Sequence, residues 1–303
     1  MGSHLRLVSK IVFKKPINWF LMLILPIILT VIITFSYKVI TELDIATLLP
    51  TTSTIPIITL GCLILPFVIY ECRKNDIVFR LKLGSQSPTT LYMTMALFFS
   101  GLMFILYFIN AGIASLFMMN RVNFKFVWAS ANFGMVFYSL FWLIACSIAT
   151  GFLLGLLINN PSVLIVTGIL LFLFSTVLAY IFISPTFFIL FTGQKDGDKG
   201  KYDVGFNIAK IAAYFMIFHY PNGMLSESWF QAAPQETLFH SSIFNLSVNW
   251  RMAASYYGSQ IITRTYLEVL TITDKWLNIF VPVFYTIFAT GGCLLYDRFK
   301  KSV

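Results

Sequence analysis

ECRKNDIVFRLKLGSQSPTTLY, residues 71–92, is a compact charged interruption between long uncharged apolar runs, and the layout of the chain follows from how it is read. Within it, residues 76–83 read as a short amphipathic helix. Ile77, Val78 and Leu81 share one face at helical spacing, while Arg80 and Lys82 point elsewhere. Gly84, Ser85 and Pro88 then end it. A short helix on a tight loop between two membrane spans is a lever that a partner protein can grip. The plainer reading is that any cytoplasmic loop is basic and polar.

The flanking runs set the solvent. Of the 303 residues 58% are hydrophobic and 11% charged, with a mean hydropathy of +0.83. A soluble domain carries about 25% charge, so lipid is the expected solvent and the chain reads as an integral membrane protein. The net charge of +9 would point to nucleic acid in a soluble protein. Here the charges cluster at the ends of apolar runs, so a bilayer is the expected partner and nucleic acid is not. Cys62, Cys72, Cys146 and Cys293 are widely spaced, with no CxxC pair, and are expected to be reduced and structural. The N-terminus lacks a myristoylation signal, because Arg6 stands where Ser or Thr is needed.

From residue 1 to 16, Leu5, Val8 and Val12, joined by Leu7 and Ile11, form an apolar stripe opposite Arg6, Ser9, Lys10 and Lys14. That pattern predicts a helix lying among anionic headgroups. Pro16 breaks it, and residues 17–37 follow as a first span that Pro26 is placed to kink. Residues 52–70 return, with Glu71, Arg73 and Lys74 at the exit. Residues 88–119 are uncharged and long enough to span with tilt. Residues 127–158 come back, residues 159–162 (NNPS) turn, and 163–183 cross again. Trp128 and Trp142 serve either as interface anchors or as packing residues. The pattern changes after Pro185. Residues 193–203 are a polar loop, and the apolar run 204–224 is broken by Lys210, His219 and Pro221. Residues 187–191 and 208–218 read as re-entrant or surface-lying helices, and 225–275 as a small folded outer region. Residues 276–296 form the last span, before a basic tail.

Orientation follows from Lys and Arg in the termini and short loops, where positive charge stays cytoplasmic. Eleven lie on the N-terminal side: Arg6, Lys10, Lys14, Lys15, Arg73, Lys74, Arg80, Lys82, Arg298, Lys300 and Lys301. Three lie opposite: Lys38, Arg121 and Lys125. The expected fold is therefore an all-α polytopic membrane protein with six transmembrane helices and both termini cytoplasmic. Its N-terminal helix is interfacial, and residues 185–275 lie outside as re-entrant and extracellular structure. A seventh span at 204–224 would have put the basic tail on the wrong side.

The chain has no GxxxxGK[ST], HExxH or GxSxG motif. His4, His219 and His240 are scattered, and His219 beside Tyr220 fits a hydrogen-bonded interfacial residue better than a catalytic one. The spans hold essentially no Asp, Glu, Lys or Arg, whereas ion-coupled transporters place such groups at their substrate sites. Asn110 and Asn132 are the most polar groups well inside spans. They either line a substrate route or bond across a helix interface.

Taken with the interfacial helix, the charged loop and the long outer connection, three stretches carry a resemblance. The loop supplies Glu71, Arg73, Arg80, Leu81, Ser85, Ser87 and Pro88, with Asn75 and Asp76 at its middle; GFLLGLLINNPS spans 151–162 and FHYPNGMLSESWF spans 218–230. Together they resemble the membrane subunit of an ABC transporter of the ABC-2 permease family, type V exporter-like; that family has Gly-Thr where Asn75 and Asp76 stand. The resemblance implies a permease that pairs with itself or a related chain and with two copies of a cytoplasmic ATP-binding subunit. That subunit would bind ATP and Mg, leaving this chain without a cofactor, a metal or a catalytic residue. It further implies export of an amphipathic or hydrophobic substrate, such as a peptide, lipid or glycolipid, across a bacterial cytoplasmic membrane. Residues Glu71, Arg73, Asp76, Ile77, Arg80, Leu81, Lys82 and Ser87 would couple to the ATPase, with Asn159 and Asn160 adding a smaller contact. Two rivals stand beside it. One is a membrane-embedded transferase using residues 185–275, with Glu227, Glu236, His219 and His240 as candidates; the other is a sensor or immunity protein without a transport cycle.

Overall fold

The computed structural model describes residues 2–36, 52–75, 77, 78, 81, 88–118, 131, 133–178, 215–228 and 273–299. Among these there is no strand, and the chain is almost entirely helical. Helix α1 is Gly2–Phe13. Helix α2 runs through Pro16–Trp19, a π-helical turn at Phe20–Ile24 and Leu25–Ser36. Helix α3 repeats that build as Ile55–Thr59, a π turn at Leu60–Ile64 and Leu65–Lys74. The remaining helices are α4, Pro88–Met118; α5, Phe133–Leu157; α6, Pro161–Leu178; α7, His219–Ser228; and α8, Thr273–Phe299.

By length and composition α2, α3, α4 and α5 can each cross a membrane, over Pro16–Ile33, Ile55–Lys74, Pro88–Leu116 and Phe133–Leu157. The two further expected crossings fall on α6 and α8, whose apolar portions, Pro161–Thr176 and Ile279–Cys293, are shorter. Inter-helix contacts give the directions. Phe13, at the junction leading into α2, meets Phe98, and Thr30 near the other end of α2 meets Asn110, so α2 and α4 run the same way. Ser147 Oγ donates to the Ile57 carbonyl (2.8 Å) and Arg73 reaches Asn159, so α3 and α5 are parallel. Tyr92 on Phe152 and Phe108 on Phe137 make α4 antiparallel to α5. Cys146 beside Pro282 and Thr150 beside Tyr285 align α8 with α5. With α6 returning from the turn after α5, helices α2 to α6 and α8 alternate in direction.

Helices α3 and α5 are the centre of the bundle: 78% and 67% of their spanning windows are buried, against 28% and 33% for α2 and α4. Small residues allow this. Ser147, Gly151 and Gly155 recur every four residues along α5 and face Gly61, Leu65 and Ile69 of α3. A Cβ on Gly61 would lie 1.9 Å from Ser147 Oγ, and one on Gly155 would lie 2.9 Å from the Pro66 carbonyl. The outer faces are apolar as well, with Leu97, Ile105 and Ile109 of α4 and Val166, Leu170 and Phe174 of α6 exposed, as a hydrocarbon solvent permits.

The π turns have a sequence cause. LILP occurs at residues 23–26 and again at 63–66, each proline falling just after a five-residue π segment. Proline has no N–H and its ring crowds the carbonyl four residues back, so widening the preceding turn relieves the clash. At Cys62 the carbonyl left without that donor is used for packing: a Cβ on Gly168 of α6 would sit 2.5 Å from it. Pro16, Pro56, Pro88 and Pro161 lie in the first turn of their helices, whereas Pro282 stands inside α8.

Two expectations are revised. Pro221, read as interrupting residues 204–224, lies in the first turn of α7, where the missing N–H costs nothing. That ten-residue helix packs on α5 and α8, with Leu225 and, just before the helix, Phe218 fully buried. In α1, Val8 and Val12 are buried against the protein and Leu5 is 46% exposed, so the stripe turns partly toward α4 rather than wholly toward lipid. His4, one turn before Val8, is buried in its place. Of the outer region, residues 185–214 and 229–272 lie outside the described residues, as do Trp128 and the loops after α2 and α4.

Candidate coupling site

Three chain segments meet at one end of the bundle: the α1–α2 junction, the C-terminal end of α3 and the turn from α5 to α6. Each is held by identifiable chemistry. The α1–α2 junction bends at Lys14 and Lys15, and α2 reaches back to close the end of α1. Asn18 Nδ2 donates to the Val12 carbonyl (2.8 Å) and Trp19 Nε1 to the Phe13 carbonyl (3.0 Å), while Phe13 and Trp19 stack with centroids 5.0 Å apart. These donors satisfy carbonyls that the last turn of a helix leaves without partners.

Lys15 then ties this junction to α3. Its Nζ pairs with Glu71 Oε1 and lies 4.9 Å from the centre of the Phe67 ring. The pair is partly shielded from solvent, which makes it worth more than a free surface pair. Two residues further on, Arg73 crosses to α5. Its Nη1 donates to the carbonyls of Gly155 (2.8 Å) and Leu156 (2.7 Å), and its Nη2 donates to Asn159 Oδ1 (2.7 Å). A guanidinium here meets unpaired carbonyls and the negative end of the α5 dipole together. Asn160 starts the next helix: its Oδ1 accepts from the Ser162 N–H (3.0 Å) and its carbonyl from the Leu164 N–H (3.0 Å), with Pro161 at the first helical position.

The residues expected to couple are thus distributed unevenly. Glu71, Arg73, Asn159 and Asn160 come together as one braced end, with Glu71 and Arg73 spent on internal ties. Ile77 and Leu81 are half-buried and, with Val78, pack against this chain's own core instead of standing free. Asp76, Arg80, Lys82 and Ser87 lie outside the described residues. Lys14, Lys74, Asn75, Asn159 and Asn160 are exposed here, so the surface presented is polar and basic. Sequence reading missed Lys15 as the partner of Glu71, since nothing local signals a tie across 56 positions.

Asn110 is not at this end. It is buried and fully engaged, donating to Thr30 Oγ1 (3.0 Å) and to the Thr52 carbonyl (3.0 Å), which joins α4 to α2 and to the start of α3. Of its two readings the interface bond is the one it makes here. Asn132 lies outside the described residues. Among those residues no group of three or more His, Cys, Asp or Glu comes together; His219 sits edge-on to Tyr220, while His240 and Glu236 lie outside them. All four cysteines are buried and free. Compared with protein-family models, curated proteins and solved structures, the chain matches none.

Proposed function

We propose that this chain is the membrane-spanning permease subunit of an ABC-2 type ABC transporter, exporting an amphipathic or hydrophobic substrate. In this reading it pairs with a second permease chain and with two cytoplasmic ATPase subunits, which bind ATP and Mg. The observation that carries it is the braced end. There the interfacial helix, the exit of α3 and the α5–α6 turn are locked together by Lys15, Glu71, Arg73 and Asn159, so a push on residues 71–92 moves α3 and α5, the central helices, as one body. The same end carries the start of α2 and, by the direction of α8, the last turn of α8 with Arg298, which supports both termini being cytoplasmic. ATP would act by favouring the arrangement of the spans in which this end fits the closed ATPase better.

Coexpression with candidate ABC ATPases, followed by purification in mild detergent, tests the proposal. Stoichiometric copurification of one ATPase is expected. An intact, monodisperse permease that retains none of them, including those encoded beside it, overturns the reading.

A further inference from the structure

A cavity of about 640 Å³ opens between α5, α6 and α8 and the residues leading into α7. Its volume is that of a site for a small organic ligand, about 300–1,000 Å³. The walls are mostly apolar, and the rim is aromatic: Phe215 is 80% exposed, Phe284 55% and Phe280 47%. For a bundle in a bilayer, that rim faces hydrocarbon.

Four residues with hydroxyls line it, Thr150, Ser175, Tyr220 and Tyr285, and counting protons separates Ser175 from Thr150 and Tyr285. Thr150 Oγ1 donates to the Cys146 carbonyl (2.8 Å), so in its contact with Tyr285 (2.7 Å) the tyrosine O–H is the donor. Both protons are therefore spent. Ser175 differs: it is fully buried, lines the cavity, and its Oγ has no hydrogen-bond partner among the described residues. Its neighbour Thr176 follows the usual habit of hydroxyls in apolar helices and donates back to the Phe172 carbonyl (2.9 Å). A buried hydroxyl left unpaired is destabilising, and an incoming acceptor would relieve that cost.

We propose that this cavity holds one acyl chain of a bilayer lipid, with an ester oxygen accepting a hydrogen bond from Ser175. The geometry suits the two parts of such a molecule. Ser175 lies in the last turn of α6, the end away from the α5–α6 turn, where the ester would enter. Thr150 and Tyr285 lie nearer mid-helix in α5 and α8, so the chain would run inward between the phenylalanines. The inference needs a membrane but neither nucleotide nor transport, so it stands apart from the permease reading.

The test uses the full chain in phosphatidylcholine vesicles, with a fraction of the lipid carrying a diazirine at the tip of one acyl chain. After irradiation, adducts are mapped by peptide mass spectrometry. Adducts should concentrate on the peptides holding Thr150, Phe284 and Tyr285. Ser175→Phe, which fills the cavity, should cut them by about tenfold, as a steric block does. Ser175→Ala, which removes the donor alone, should weaken labelling by about fivefold, the worth of one hydrogen bond near 1 kcal/mol. If Ser175→Phe is not monodisperse, Leu171→Trp fills the cavity from another part of its wall. Adducts spread evenly over outward residues such as Phe141 and Phe288, unchanged in the filled variants, overturn the proposal. So does labelling of the cavity by a diazirine fatty acid but not by the lipid. Because no ATPase enters the experiment, its failure leaves the permease proposal untouched.

Discussion

Gly155→Leu is expected to abolish the folded bundle, while Gly101→Leu leaves it intact. At Gly155 an added Cβ would lie 2.8 Å from Ile69 Cβ and 2.9 Å from the Pro66 carbonyl. Both are anchored to the α3 backbone, so no rotamer change relieves the clash, and α3 and α5 must separate. Even Gly155→Ala should cost about 1–3 kcal/mol, the usual range for overpacking, despite gaining up to about 1 kcal/mol in helix propensity. The leucine adds a branched group to a face with no space and should leave aggregated or degraded protein. Gly101 has nothing within 4 Å of its would-be Cβ and is exposed, so the same change there adds only apolar surface to a lipid-facing side. Size-exclusion profiles and thermal melts in one detergent compare the two. Equal melting temperatures would mean that α3 and α5 do not meet along this stripe.

Arg73→Ala should give the largest loss among the polar substitutions. It removes two charge-assisted bonds to the Gly155 and Leu156 carbonyls and one to Asn159, leaving the end of α5 uncapped. Bonds to a charged donor contribute about 1.5–3 kcal/mol each, yet they share one side chain that is only partly buried, so about 2–4 kcal/mol in total is expected. Arg73→Lys should recover less than half of that, because an ammonium cannot present the planar fork that reaches two successive carbonyls and an amide together. Asn159→Ala, which deletes only the outermost bond, should cost less than about 1 kcal/mol. Thermal stability of the three variants checks the order. Arg73→Ala at wild-type stability would remove the brace from the account.

Much of the bundle was legible in the residues because hydrocarbon imposes a simple rule: uncharged runs become helices. The start of α4 at Pro88, the Gly151–Gly155 spacing and the turn at 159–162 could all be read locally. What escaped was what depends on residues far apart. Arg73 looks like any basic residue at a span end, and its use as a cap for α5 depends on a helix more than 80 positions away. Asn110 could be seen to be polar and buried, but its partners Thr30 and Thr52 lie on two other segments. Pro26 was legible as a kink in the first span, but the matching LILP at 63–66 was not; its effect appears only once the carbonyl of Cys62 is seen against Gly168. Proline was read as a break at Pro221, where position within the first turn makes it a start. The face of Ile77 and Leu81 was found by periodicity, but periodicity does not say whether that face meets a partner or, as here, the chain's own core.

That last point decides how coupling should be tested. Replacing Ile77 and Leu81 with Asp would damage the fold and the docking together, so loss of ATPase association in that variant would not separate them. A photoreactive amino acid at the exposed positions Lys74 and Asn160, one at a time, leaves the core alone. Phe133, exposed at the opposite end of α5, serves as the control position. With the copurified ATPase present, irradiation should join it to the permease from positions 74 and 160, more strongly when ATP is bound, and not from 133. Crosslinks from 133 but neither 74 nor 160, or none from any position in an intact complex, would contradict the claim that the ATPase grips this end of the bundle.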